Sequence, residues 1–159
     1  MIYETAKIIG RDELVMGENS SIGDFCFINA SGGIRIGECS HIHAGSRVIG
    51  GAGLYLGDHS AVTYDVLIVT ATDRPNGLMS DHSPMHLRRV DRKAVFIGDY
   101  VYIGSKSVIM PGVTIGNGAV IWSQSYVDKN IPAWEIWGGR PAVFKRKRML
   151  DDDPYSFVI

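Results

Sequence analysis

The sequence predicts an all-β fold, a parallel β-helix of about five coils. Three observations carry this: an apolar residue at every sixth position, glycine-marked turns between those positions, and a longer register of twenty residues. The short spacing is clearest in "VFIGDYVYIGSKSVIMPGVTIGNGAVIW", Val95 to Trp122, where Ile97, Ile103, Ile109, Ile115 and Ile121 recur. A helix repeats at about 3.6 residues and a strand at about 2, so this spacing keeps strand parity but needs a turn to interrupt each strand. Gly98, Gly104, Gly112, Gly116 and Gly118, with Asp99 and Asn117, stand where those turns fall and tolerate unusual dihedrals. Four positions after each isoleucine come Val101, Ser107, Val113, Ala119 and Ser125, small enough to point into a narrow interior.

Upstream, the same unit starts at Met16, Ile22, Ile36, Ile42, Leu56 and Val62. Met16, Ile36 and Leu56 are twenty apart, as are Ile22, Ile42 and Val62, and Ile28, Val48 and Ile68. Three hexads plus two extra residues therefore make one coil, the extras falling at "GGIR" and "AGLY". The register stops after Ile68, resumes at Ile97 and runs to Val127 as two coils of eighteen. The 159 residues are thus read as one domain: a lead-in over 1–15, the solenoid over 16–130 with an excursion loop at 74–94, and a cap and tail over 131–159. The loop is polar and carries Pro75, Pro84, His82 and His86, and loops of that length usually serve function. In "NIPAWEIWGGRPAVFKRKRML" a Gly-Gly break and Pro141 precede a basic stretch, which predicts a short C-terminal helix.

Composition narrows the partners. A net charge of -1 and a pI near 6.5 give no field that would gather nucleic acid or an acidic membrane, so a small molecule or a protein is expected. The N-terminal stretch has no apolar run long enough for a signal or a membrane span, which points to the cytoplasm. Cys26 and Cys39 form no CxxC pair and are read as shielded thiols.

The hexads, the ending "WEIWGGRPAVFKRKR" and the excursion after "IVTATD" together resemble the hexapeptide-repeat acyltransferases, which include galactoside, maltose and polysaccharide-sugar acetyltransferases. The resemblance implies a left-handed β-helix, a homotrimer, and acetyl-CoA as co-substrate bound in clefts between subunits. In the galactoside and maltose type a catalytic histidine ends the segment matching "IVTATD"; here that position is Asp73. A substrate-contacting asparagine of that type aligns with His43, whose imidazole titrates near neutrality and can take a proton.

The candidate catalytic residues are therefore His43, Asp73 and His82, each weighed against a plainer role. Asp73 at a coil corner can simply tie down a turn, and His82 can be an ordinary loop histidine. His82 and His86 are four apart, a metal-pair spacing on a helix, but Pro84 between them disfavours that helix and no metal is assigned. His41 and His59 are read as structural. For the co-substrate, Gly104, Ser105 and Ser123 match places where backbone amides line the pantetheine slot, and Arg140, Lys145, Arg146 and Arg148 match the phosphate-binding C-terminal element. Trp122, Tyr102 and Trp134 can supply apolar walls or merely pack the cap.

The function expected is acetyl transfer from acetyl-CoA to the amine of a nucleotide-linked aminosugar for cell-surface polysaccharide biosynthesis. An amine loses its proton in equilibrium and attacks readily, so an absent loop-start histidine is tolerable, whereas a hydroxyl needs proton removal near the transition state. Sugar O-acetylation is the nearest alternative. A zinc-dependent carbonic anhydrase of the γ class, which needs three histidines with two of them five apart, and a non-catalytic assembly subunit are the others.

Overall fold

In the computed structural model, which describes residues 1–150, the chain winds as a three-sided prism of short parallel strands. Each predicted register is a ladder. Ile22 pairs with Ile42 and that with Val62; Ile28 pairs with Val48 and that with Ile68; Met16 pairs with Ile36 and that with Leu56. The eighteen-residue coils stack in the same way, Ile97 on Ile115, Ile103 on Ile121 and Ile109 on Val127. The first face carries Ile22, the second Ile28 and the third Ile36, and we name each corner after the face it follows.

The inward rows form the core. Ile22, Ile28, Ile42, Leu56, Ile68, Ile97, Ile103, Ile109 and Ile121 are wholly buried, and Val101, Ser107, Val113, Ala119 and Ser125 fill the corners between them. Buried corner serines stay satisfied because each bonds a neighbouring carbonyl, as when Ser125 Oγ donates to Trp122 O at 2.6 Å. Ile103→Ala removes three carbons from a wholly buried site, so we expect a loss of about 2–5 kcal/mol. A urea midpoint that falls with an unchanged slope would register it.

The coil count exceeds the five predicted. Residues 1–15 belong to the stack: Ile2 bridges to Ile22, and Lys7–Ile9 pairs with Phe27–Asn29. At the other end Ile131 bridges to Ile115, and Glu135–Gly138 lies on Val120–Ile121. The first face thus has seven levels and the other two six each, and seven levels at ~4.8 Å span about 29 Å. The predicted C-terminal helix is a strand instead. Val143–Lys147 runs antiparallel along Glu135–Gly138, because Val143 and Phe144 favour extended backbone and the last coil leaves a free edge to pair with. The remainder of the predicted tail, 151–159, lies outside the described residues.

The turn glycines act differently from expectation. In the eighteen-residue coils positive φ falls on Tyr100, Lys106 and Gln124 as well as on glycines, while at Gly104 a Cβ would sit 2.4 Å from Ser123 N of the next coil. Glycine is needed there because successive coils approach closely. Gly112 and Gly118 do take positive φ.

The excursion loop replaces one second-corner turn, leaving the second face after Val69 and rejoining the third at Val95. Its arms pair antiparallel, Ala71–Asp73 with Val90–Arg92. Among the described residues no helix is long and apolar enough to cross a membrane.

Candidate active site

Two of the three corners differ in how they spend their backbone amides. At the third corner three successive amides are capped by a side chain one coil on: Glu38 N donates to Asp58 Oδ1, Asp58 N to Asp99 Oδ1 and Asp99 N to Asn117 Oδ1, at 2.8, 2.9 and 3.0 Å. At the first corner the equivalent amides of Ala44, Tyr64, Ser105 and Ser123 donate to no protein group among the described residues. Their carbonyls bind the coils together, as Lys106 N donates to Tyr64 O and Gln124 N to Ser105 O. The result is a column of open N–H donors along one edge of the prism.

That edge also gathers four of the ten predicted site residues, His43, Gly104, Ser105 and Ser123. His43 precedes Ala44 on it, Gly104 precedes Ser105, and Trp122 precedes Ser123. Gly104 lends its own amide to Ile121 O, so its part is to let the coils close up. Ser105 Oγ lies 3.1 Å from Thr63 Oγ1. His43 is half-buried beside Tyr64, ring centroids 5.1 Å apart, and with Tyr64, Ser21 and Asp24 it lines a hollow of about 280 Å³. Burial, and then the neighbouring His41, push the His43 pKa below its ordinary value. His41 itself is held by Ser21 Oγ, 2.8 Å from its Nδ1.

The basic run divides. Arg148 Nη1 donates to Tyr100 O and Gly118 O at 2.8 Å each, and its guanidinium lies over Trp134. Lys147 pairs with Glu135, whose carboxyl it holds below the usual range together with the Trp137 indole. These two residues fasten the last strand. Lys145 places its ammonium 5.6 Å from the centroid of Trp122, at the end of the open-amide column, and Arg140 and Arg146 are exposed.

Asp73 stands at the second corner, away from His43, so one chain does not bring the two together. It lines a cleft of about 710 Å³ between the loop and the prism, with Asn29, Asp81, Arg88 and Arg92. Arg88 Nη2 donates to Asp73 Oδ1 at 3.0 Å. His82 is exposed on the loop and is not among the residues lining that cleft. Met85–Leu87 forms a single 3-10 turn after Pro84, so His82 and His86 share no helix face. Among the described residues no three His, Cys, Asp or Glu side chains converge as a metal site. Cys26 is buried, and burial raises its pKa, as befits a packed thiol.

Sequence reasoning missed Arg88 and Tyr64. The signal for Tyr64 was its place one coil after Ala44 in the twenty-residue register. Arg88 had only the weaker mark of a basic cluster, "HLRRVDRK", closing an excursion that opens on an acid.

A parallel prism of hexads with an excursion at one corner and open amides along another defines a hexapeptide-repeat transferase. The comparisons agree in three respects. Residues 94–129 match the family model "Bacterial transferase hexapeptide (six repeats)". The chain is 31% identical over 144 residues to a dTDP-4-amino-4,6-dideoxy-D-glucose acyltransferase of Escherichia coli, covering 89% of this chain and 75% of that one. It superposes with a TM-score of 0.88 at 29% identity, over 94% of this chain and 80% of the other, on a variant of the N-acyltransferase AntD from Bacillus cereus, solved with dTDP-4-amino-4,6-dideoxyglucose and coenzyme A. A hexapeptide-repeat acetyltransferase from Vibrio cholerae, solved with acetyl coenzyme A, superposes with a TM-score of 0.75 at 27% identity, over 87% and 72%. The chain belongs to the hexapeptide-repeat acyltransferase family.

Proposed function

We propose that this protein transfers an acyl group, with acetyl the first to test, from its coenzyme A thioester to the amine of a nucleotide-linked aminosugar. The observation that carries the reading is Asp73, a carboxylate at the mouth of the loop cleft. It suits an amine better than a hydroxyl, and relatives that span most of the chain act on or bind such a sugar. The amine attacks the thioester carbonyl directly, the tetrahedral intermediate expels the thiolate, and the amine's proton passes to a base. Holding donor and acceptor together supplies much of the acceleration. His43, kept neutral by its surroundings, is the base at the first corner. His82 serves only if the loop of a neighbouring copy brings it in.

The donor lies along the first corner in this reading. Its pantetheine amides meet the open N–H groups of Tyr64, Ser105 and Ser123, and its phosphates meet Arg140, Lys145 and Arg146. Since Asp73 occupies another edge, a second copy must bring its loop against this column. A left-handed homotrimer, working in the cytoplasm on precursors of surface polysaccharide, supplies that arrangement. The test is thiol release from acetyl-CoA with dTDP-4-amino-4,6-dideoxyglucose as acceptor, alongside light scattering. Turnover in a trimer is expected; an active monomer would refute the shared site.

The divided basic run gives a prediction of its own. Lys145→Glu should raise the donor KM ~10-fold, more steeply in low salt, with the acceptor KM unchanged. Lys147→Glu should instead lower the melting temperature, since it opposes Glu135. Steady-state kinetics and a thermal melt separate the two.

A further inference from the structure

The loop cleft holds a donor that the proposed chemistry does not use. Arg88 keeps only 16% of its side chain exposed, with Nη2 3.0 Å from Asp73 Oδ1 and Nη1 3.1 Å from Asp81 Oδ1. A guanidinium has five N–H groups and no acceptor. Nη2 has therefore spent one hydrogen on Asp73 and keeps another, Nη1 stands in an ion pair with the exposed Asp81, and Arg88 lines the cleft. Nε is buried without a partner among the described residues. Asp73 in turn has Oδ2 free of protein donors among the described residues. Side by side stand an acceptor for N–H and a donor for oxygen.

Adjacent gauche substituents on a sugar ring sit about a hydrogen-bond length apart, much like the Arg88–Asp73 contact. A free amine beside a hydroxyl presents the complementary pair. We propose that Arg88 is an acceptor-specificity residue: Asp73 takes the amine while Arg88 takes the hydroxyl on the neighbouring carbon, so the cleft selects vicinal amino alcohols. This rests on the aminosugar reading and narrows it. An acceptor lacking that hydroxyl leaves an Arg88 N–H shut off from water, and an unpaired donor discriminates more strongly than a missing apolar contact.

The test compares dTDP-4-amino-4,6-dideoxyglucose with its 3-deoxy counterpart, which keeps the amine and loses the adjacent hydroxyl. Binding is measured by calorimetry and turnover by thiol release, for the wild type, Arg88→Met and Arg88→Lys. The wild type should favour the hydroxyl-bearing sugar by ~10- to 100-fold in both Kd and kcat/KM. Arg88→Met should bring that ratio to within about twofold, with the donor KM unchanged. Arg88→Lys keeps a cation between the two carboxylates and should retain an intermediate preference with an unaltered melt, which guards against a collapsed loop. Equal binding of the two sugars by the wild type would overturn the proposal. So would an Arg88→Met variant that weakens both equally and keeps the ratio, since Arg88 would then only hold the loop. A binding preference without thiol release would refute acyl transfer and leave this proposal standing.

Discussion

Asp73→Asn is expected to raise the acceptor KM by ~10- to 100-fold while kcat falls less, with the donor KM unmoved. The substitution keeps the shape of the side chain and its acceptor oxygen but removes the charge that holds an amine. It also takes the charge assistance from the contact with Arg88, which lines the same cleft. Steady-state kinetics against each substrate in turn check this. A fall in kcat alone, with the acceptor KM intact, would move Asp73 from binding to chemistry.

His43→Asn carries the larger loss in turnover. It keeps polarity and approximate size but cannot accept a proton, so kcat should fall by ~10²- to 10⁴-fold. The pH profile gives the sign. Below its pKa the imidazole is protonated and unavailable as a base, so the rate drops as pH falls through that value. Burial and the nearby His41 lower it from the ordinary 6.5, so the wild-type acidic limb should lie below pH 6.5. In His43→Asn that limb should flatten. A profile unchanged by the substitution would assign the proton to His82 or to water.

The core was the most legible part of the chain, because a buried row repeats where its neighbours repeat. Ile97, Ile103, Ile109, Ile115 and Ile121 declared themselves by spacing alone, and all are buried. The ends were less legible for a physical reason. Ile2 and Ile8 keep the six-residue interval, but no glycine marks the turn between them, where Tyr3, Glu4 and Thr5 stand. The final strand was misread because Pro141 and a run of lysines and arginines suit a helix locally. What decides the matter is a free edge at Glu135–Gly138, a tertiary fact.

The site divides along the same line. Asp73 and His43 could be found because the family resemblance marks their positions, one where the loop leaves the coil and the other thirty residues earlier. The Arg88–Asp73 contact could not, since it closes across fifteen residues of irregular loop. Nor could the open amides, which are defined by a partner's absence: Asp58, Asp99 and Asn117 cap the third corner, and among the described residues nothing equivalent caps the amides of Ala44, Tyr64, Ser105 and Ser123 at the first.

The two ends of the prism are fastened unequally, and this gives the molecule a direction in which it comes apart. Arg148 grips the carbonyls of Tyr100 and Gly118, from two different coils, and Val143–Lys147 pairs along the last level. The start of the first level is held by the bridge of Ile2 to Ile22, by Lys7–Ile9 and by the exposed contacts of Thr5 with Asp24 and Phe25 N, with no cross-coil grip like that of Arg148 among the described residues. In a stack where each level touches only its neighbours, opening begins where the terminal contact is weakest. Amide hydrogen exchange should therefore advance as a front from Ile2 inward. Lys7 and Ile9 would exchange by local fraying, while amides near Ile121 would wait for the whole stack to open.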